Sequence, residues 1–169
     1  IIMEKNVNTD NVDVTARQVG IGAVIFNELS NNRIKDYVFS WDKVLNFDGE
    51  TGPYVQYTHA RAASVLRNAG LEPAAAEETL AGADVSFLTG DNAFRLAKEI
   101  YAFPDVVREA AEKYEPSIVT RHIVNIAQSF NRFYHNEHIL VDDPAERKAK
   151  LLLTYGAKQT IRNGLRLLL

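Results

Sequence analysis

The stretch GPYVQYTHAR, residues 52–61, opens a predicted helix and carries the most distinctive group of side chains in the sequence. Proline is favoured just inside a helix start, because its missing N–H would have no partner there in any case. We therefore expect a helix from Tyr54 to about Arg67. The residues that follow, Asn68-Ala69-Gly70, are typical of a helix end.

Tyr54, Tyr57 and Arg61 are spaced so that they share one face of this helix. Two phenol rings beside a planar cation can hold a nucleobase and a nearby phosphate. The same spacing is also typical of tyrosines that are half-buried between packed helices. Spacing alone favours this second interpretation.

The composition is that of a globular protein. The chain has 169 residues, 46% hydrophobic and 24% charged, which suits one domain or one domain with an appendage. It has no cysteine, which excludes disulfides and thiol chemistry and favours a reducing compartment. No apolar run reaches the roughly 18 residues of a membrane span. The start, Ile1-Ile2-Met3, resembles neither a signal peptide nor an initiation site, so we expect a piece of a longer protein.

The net charge of −3 is unevenly distributed along the chain. Residues 72–115 contain ten acidic and four basic residues, a net charge of −6, whereas residues 144–169 contain one acidic and six basic residues, a net charge of +5. A basic helix in a weakly acidic protein can still attract a polyanion. The alternative is a charged face that is merely solvated, which is the commoner case.

The first third of the chain predicts a helix and a few short elements. Asn11 or Asp13 can cap a helix that runs to about Leu29. Tyr37-Val38-Phe39 is a short β-prone run. Trp41 to Leu45 reads as a single helical turn.

Four further helices are predicted in the remainder. Asp91 can cap the first, Pro104 is expected to break it and to begin the second, and Glu115-Pro116 ends that helix. The third has the best period in the chain, with apolar residues in a 4-3-4-3 spacing that is typical of an antiparallel bundle. Those residues are Val119, Ile123, Ile126, Phe130 and Phe133. Asp142-Asp143-Pro144 caps the last helix, at about 145–168. The sequence therefore predicts an all-α, antiparallel helical bundle preceded by a short mixed segment.

No catalytic constellation stands out. His135 and His138 are three residues apart, but a metal site needs three or four converging ligands, so we expect no metal. Tyr134 lies one position off the apolar stripe, where its ring can pack while its hydroxyl reaches water. It is either a boundary-layer residue or part of a binding surface.

Several stretches together resemble the arginyl-tRNA synthetase family. GPYVQYTHAR looks like the GPYxQYxxxR stretch at which that family's catalytic domain meets its anticodon-binding domain. Other stretches match in the same order: VGIGAV (19–24), YVFSWD (37–42), FPDVV (103–107), FNRFY (130–134) and NGLRLL (163–168). The resemblance covers essentially the whole chain.

The resemblance implies two domains, with residues 1–48 as the tail of a class I catalytic domain and residues 49–169 as a helical anticodon-binding domain. It implies that the anticodon pocket is lined by Tyr54, Tyr57, Arg61 and Tyr134. The basic residues of the last helix, Lys158, Arg162 and Arg166, are our own candidates for phosphate contacts.

The resemblance also implies partners and a reaction for the parent protein. The parent would be a cytoplasmic ligase that uses ATP with magnesium to join arginine to tRNA-Arg. The partners of this chain would be that tRNA and the rest of the catalytic domain, with no membrane involved. The HIGH-type and KMSKS-type signatures of class I synthetases are absent from these residues, so we expect the chain alone to bind tRNA without catalysis and without a cofactor.

One departure concerns the end of the sequence. Leu169 stands where the family has glycine, and the family continues for a few more residues to a methionine near the anticodon pocket. We expect this chain to lack that wall of the pocket. Two alternatives remain: a freestanding helical protein-interaction module with the tyrosines in its core, and a small metal-dependent enzyme that uses His135 and His138.

Overall fold

The computed structural model describes residues 11–32 and 34–168, and every regular element within these ranges is helical. The α-helices are α1 (Val12–Ser30), α2 (Trp41–Val44), α3 (Gly52–Asn68), α4 (Ala76–Leu80), α5 (Asp91–Lys113), α6 (Ser117–Asn136) and α7 (Pro144–Leu168). A single 3₁₀ turn, Val85–Phe87, lies between α4 and α5. The predicted all-α class is confirmed.

Helix α6 is the centre of the bundle, as its apolar period predicts. The five residues of the 4-3-4-3 stripe are all buried, with at most 5% of each exposed. They pack with Val55 and Leu66 of α3, Leu96 of α5 and Ile161 of α7 in one core. A continuous apolar stripe with helices on several sides of it is what makes α6 central.

Helices α5 and α7 both run antiparallel to α6. The Nε2 atom of His122 in α6 lies 2.9 Å from the carbonyl oxygen of Glu99 in α5. At the other end of α6, the buried Lys150 of α7 donates to the carbonyl of His138 at 3.0 Å and pairs with Glu146 at 2.8 Å. The two contacts of Lys150 compensate for the free energy that burial of its ammonium charge would otherwise cost.

Two of the predicted helix caps are present. The Asn11 side chain accepts a hydrogen bond from the Val14 N–H at 3.1 Å, at the start of α1. The Asp143 carboxylate accepts from the N–H groups of Ala145 and Glu146 at 2.9 and 2.8 Å, at the start of α7. Each carboxylate or amide oxygen takes up N–H groups that have no partner within the helix.

The predicted break at Pro104 is wrong, because α5 continues through this residue from Asp91 to Lys113. Proline removes one backbone donor and costs about 3 kcal/mol inside a helix. Leu96 and Ala110, on either side of Pro104, are both buried in the core. Packing of the whole helix along α6 therefore outweighs the local cost.

Two smaller predictions are also corrected. Asp91 is the first residue of α5 and not its cap, which is Gly90, with no side-chain hydrogen bond. The run Tyr37-Val38-Phe39 lies in an irregular loop, and the described residues offer it no strand to pair with. In residues 11–32 and 34–168, no helix is long and apolar enough to span a membrane.

Candidate nucleic-acid interface

The start of α3 fixes the position of the tyrosines. The Thr51 hydroxyl accepts a hydrogen bond from the Tyr54 N–H at 3.2 Å, and Pro53 follows in the first turn. Gly52 packs directly on α1, where an added Cβ would lie 2.9 Å from the Cβ of Phe26. The helix thus begins at Gly52, two residues before the predicted start, and is held against α1 from its first turn.

Arg61 lies close to two tyrosine rings, one from its own helix and one from α6. Its Cζ atom is 5.0 Å from the centroid of the Tyr57 ring and 5.3 Å from the centroid of the Tyr134 ring. Both tyrosines are 39% exposed. The structure therefore brings these three predicted residues into one surface cluster, called here the tyrosine–arginine cluster. Each cation–π contact contributes about 0.5–1 kcal/mol at such a site.

Tyr54, the fourth predicted pocket residue, has a different environment. It is half-buried and packs against the core. Its hydroxyl accepts a hydrogen bond from the Asn131 side chain at 3.0 Å, which ties α3 to α6. Tyr54 supports the cluster indirectly, because Asn131 also binds Arg61. Its ring is less exposed to a stacking base than the rings of Tyr57 and Tyr134.

Asn131 connects Arg61 to Tyr54 and Thr58, a role that the sequence did not predict. Its Nδ2 atom donates to the Tyr54 hydroxyl and to the Thr58 Oγ1, each at 3.0 Å. Its Oδ1 atom accepts a hydrogen bond from the Arg61 guanidinium. The signal that could have found it is an amide beside the apolar stripe of α6, since a polar group at such a position needs partners.

The two tyrosine rings are also held by neighbouring aromatic rings. Phe47, from the loop before α3, meets the Tyr57 ring edge-on with centroids 6.2 Å apart. Phe130 and Tyr134 are 6.2 Å apart in a stacked arrangement, and His135 meets the Tyr134 ring edge-on at 5.3 Å. These contacts limit the rotation of the exposed rings and favour a preformed surface.

A cleft of about 320 Å³ adjoins Tyr134 at the C-terminal end of α6. It is lined by Val65, Asn68, Tyr134, His135, Glu137, His138, Ile139 and Leu140. Both histidines from the metal hypothesis lie here. Among the described residues, however, no three His, Asp or Glu side chains are placed to hold a metal ion.

The basic residues predicted to contact phosphate lie on the other side of α3. Arg162 and Arg166 line a groove with His59 and Leu165. His59 is two residues after Tyr57, which places the two side chains about 200° apart around the helix. The structure does not bring the basic residues into the tyrosine–arginine cluster.

Lys158 is placed differently from the two arginines. Its ammonium lies 5.7 Å from the centroid of the Tyr155 ring. Burial lowers the pKa of Lys158, and the positive charges of Arg162 and Arg67 lower it further. Arg162 and Arg67 thus lie near enough to Lys158 for their charges to act on it, on this part of α7 and α3.

Comparisons with known proteins agree with this architecture. The DALR anticodon binding domain family matches residues 55–169, and the catalytic domain family of class I (R) tRNA synthetases matches residues 1–41. The arginine–tRNA ligase of Alkaliphilus metalliredigens is 54% identical over 168 residues, which are 99% of this chain and 29% of that protein. The enzyme of Halothermothrix orenii is 50% identical over 99% of this chain and 28% of its own length.

A solved structure gives the same result. Thermus thermophilus arginyl-tRNA synthetase superposes with a TM-score of 0.87 at 31% identity, covering 99% of this chain and 28% of that one. The chain thus spans less than a third of the length of the relatives it matches. The family resemblance of the sequence is confirmed, and the chain belongs to the DALR anticodon-binding domain family of the class I tRNA synthetases.

Proposed function

We propose that this chain is the anticodon-binding part of an arginine–tRNA ligase, preceded by the last segment of its catalytic domain. We place the boundary at residues 48/49, between α2 and α3. The observation that carries the proposal is the tyrosine–arginine cluster, in which Tyr57, Arg61 and Tyr134 meet at the surface of a domain of this family.

The chemistry of this cluster suits an unpaired RNA loop. Proteins read such loops by stacking splayed bases on aromatic rings and by binding the backbone with basic groups. The half-exposed rings of Tyr57 and Tyr134 offer outer faces for stacking, and Arg61 lies between them as the cation. Tyr54 and Asn131 hold the arrangement in place.

Lys158, Arg162 and Arg166 add attraction that does not depend on base sequence. Charge neutralisation of phosphates releases counterions and strengthens binding at low salt. The partner proposed is therefore tRNA-Arg, bound by its anticodon loop at the tyrosines.

The parent protein would activate arginine with ATP and magnesium in the cytoplasm, and the remaining catalytic domain would be the second partner of this chain. Support comes from exposed apolar side chains before α3: Ile34 is 84% exposed, Val38 is 90% exposed and Trp41 is 60% exposed. Large apolar side chains at such exposure are typical of a surface that is covered by another part of a protein.

The test is titration of a labelled tRNA-Arg anticodon stem-loop against the chain and its Tyr57→Ala variant. Loss of one stacking contact is expected to weaken binding by about 5- to 150-fold, from 1–3 kcal/mol per base. Tyr57→Phe keeps the ring and should retain most of the affinity. Tyr101→Ala is the matched control, since this tyrosine is 85% exposed on α5 and outside the cluster.

Circular dichroism of each variant separates binding from folding. Equal weakening by Tyr57→Ala and Tyr101→Ala, or unchanged affinity in Tyr57→Ala with its helicity intact, would contradict the proposed role. A folded chain that binds no stem-loop would instead favour the protein-interaction module.

A further inference from the structure

The groove between α3 and α7 is lined by two arginines and a histidine. The groove has a volume of about 350 Å³ and is open to solvent. Its lining consists of His59 from α3 and Arg162, Leu165 and Arg166 from α7. It lies on the opposite side of α3 from Tyr57. The tyrosine–arginine cluster therefore does not account for these residues.

The positive charges of this groove belong to Arg162 and Arg166. In the part of the chain that the structure describes, the ion pairs that form use other cations, and neither Arg162 nor Arg166 takes part in one. Burial lowers the pKa of His59, and the charges of Lys158 and Arg162 lower it further. Burial is the larger cause, and the smaller part due to Lys158 and Arg162 reflects a positive local potential.

His59 supplies the second observation. Its Nε2 atom is buried and has no hydrogen-bond partner among the described residues. A buried polar atom without a partner is rare in a folded protein, because burial without a hydrogen bond costs free energy. Here that atom belongs to a side chain that lines the same groove as the guanidinium groups of Arg162 and Arg166.

We propose that this groove binds a phosphate group, with Arg162 and Arg166 as its cationic partners and the His59 imidazole, once its ring turns towards the groove, as a hydrogen-bond donor. Arginine offers planar paired donors that match phosphate oxygens, and a neutral imidazole keeps one N–H to donate. The inference rests on the proposed function, because that function supplies the phosphate group. The phosphate would belong to the RNA backbone and would bind in this groove, whereas the bases bind at the tyrosines.

The first experiment uses inorganic phosphate and the full chain. The imidazole signals of His59 are followed by NMR as phosphate replaces chloride at constant ionic strength. We expect a saturable shift of the His59 signals that is lost in Arg162→Gln/Arg166→Gln. The signals of His135 and His138, at the far end of α6, should stay in place. The variant Arg147→Gln/Lys148→Gln removes two charges from the start of α7 and should keep the shift.

The second experiment measures stem-loop affinity over a range of salt concentrations. The slope of log K against log salt is negative, and loss of one phosphate contact reduces its magnitude by about 1. We expect this decrease in Arg162→Gln/Arg166→Gln and not in Arg147→Gln/Lys148→Gln. A His59 shift without a change in slope would support the site and assign it to free phosphate. A changed slope without any His59 shift would contradict the role of His59.

The proposal is overturned if phosphate leaves the His59 signals unchanged and the salt slope is the same in all variants. That result is compatible with weakening by Tyr57→Ala, in which case the proposed function stands and the groove has another role. If the unaltered chain binds no stem-loop, the proposed function fails, and the phosphate titration alone decides the groove.

Discussion

Asn131 is the residue on which the candidate site depends most for its geometry. Its side chain makes hydrogen bonds to Tyr54, Thr58 and Arg61, and Thr58 is fully buried. Removal of an amide that serves buried groups costs about 1–3 kcal/mol when those groups lose a partner. Asn131→Ala should therefore lower the free energy of unfolding by that amount in urea denaturation.

Asn136→Ala is the control for this change. Asn136 lies on the same helix, is exposed, and donates from its side chain to the Arg132 carbonyl at 3.0 Å. Its replacement should change the free energy of unfolding by less than about 0.5 kcal/mol. Equal effects of the two substitutions would show that Asn131 has no special structural role.

The sequence could predict Tyr57, Arg61 and Tyr134 as candidate site residues but not the contacts that hold them. Tyr57 and Arg61 are neighbours on one helix, so their spacing alone indicates a shared face. Asn131 is 77 positions from Tyr54, and such a pairing depends on how α3 and α6 pack. Tyr134 was assigned to the site by the family resemblance, which does not explain why its ring lies near Arg61.

His59 predicts a pH effect on stability. Its pKa in the folded chain is lowered, by burial first, below the value of about 6.5 expected in the unfolded chain. Below pH 6.5 the unfolded chain therefore binds more protons, and stability falls as the pH falls from 6.5 through the lower folded pKa. His59→Gln should remove this part of the decrease in urea denaturation from pH 7 to pH 5. An unchanged pH dependence in the variant would contradict the lowered pKa.

At the scale of elements, the helices were predictable where local chemistry and packing agree. The apolar stripe of α6 and the Asp143 cap of α7 are examples. Pro104 shows the opposite case, because its local preference for a break conflicts with burial of the residues on both sides. The energy of packing along α6 is a property of the assembled bundle and cannot be read from the FPDVV stretch.

The junction of α1 and α3 allows a sharp test of close packing. A Cβ at Gly52 would lie 2.9 Å from the Phe26 Cβ and 3.1 Å from the Gly22 carbonyl oxygen. One of these atoms belongs to the backbone and the other is bonded directly to it, so neither can move away by a side-chain rotation. The two helices would therefore have to separate. Gly52→Ala should destabilise the chain by about 1–3 kcal/mol, as overpacking does, measured by thermal or urea unfolding.

Gly20→Ala should have the opposite effect. Gly20 lies within α1, and a Cβ there would have no neighbour within 4 Å. Alanine in a helix interior is more stable than glycine by about 0.5–1 kcal/mol. If both substitutions stabilise the chain, the close contact at Gly52 is not present in solution.

At the scale of the whole molecule, the basic residues, the acidic residues and the exposed apolar residues are concentrated on different elements. The basic end of the chain forms α7, whereas the acidic stretch of residues 72–115 forms α4 and α5. The exposed apolar residues Ile34, Val38 and Trp41 lie in the loop before α3 and at the start of α2. This distribution supports the proposals that α7 attracts a polyanion and that the segment before α3 contacts another part of the parent protein.

Whether this chain binds tRNA without activating arginine can be measured directly. The match to the catalytic domain family covers only residues 1–41, whereas the anticodon-binding family matches 115 residues, from 55 to 169. We expect the chain to bind the tRNA-Arg stem-loop but to show no arginine-dependent exchange between ATP and pyrophosphate, because adenylate formation would need the class I signatures that its sequence lacks. A full-length relative, such as the Alkaliphilus metalliredigens enzyme, serves as the positive control. Exchange by the purified chain above the level of a buffer blank would show that the residues for arginine activation lie within these 169 residues.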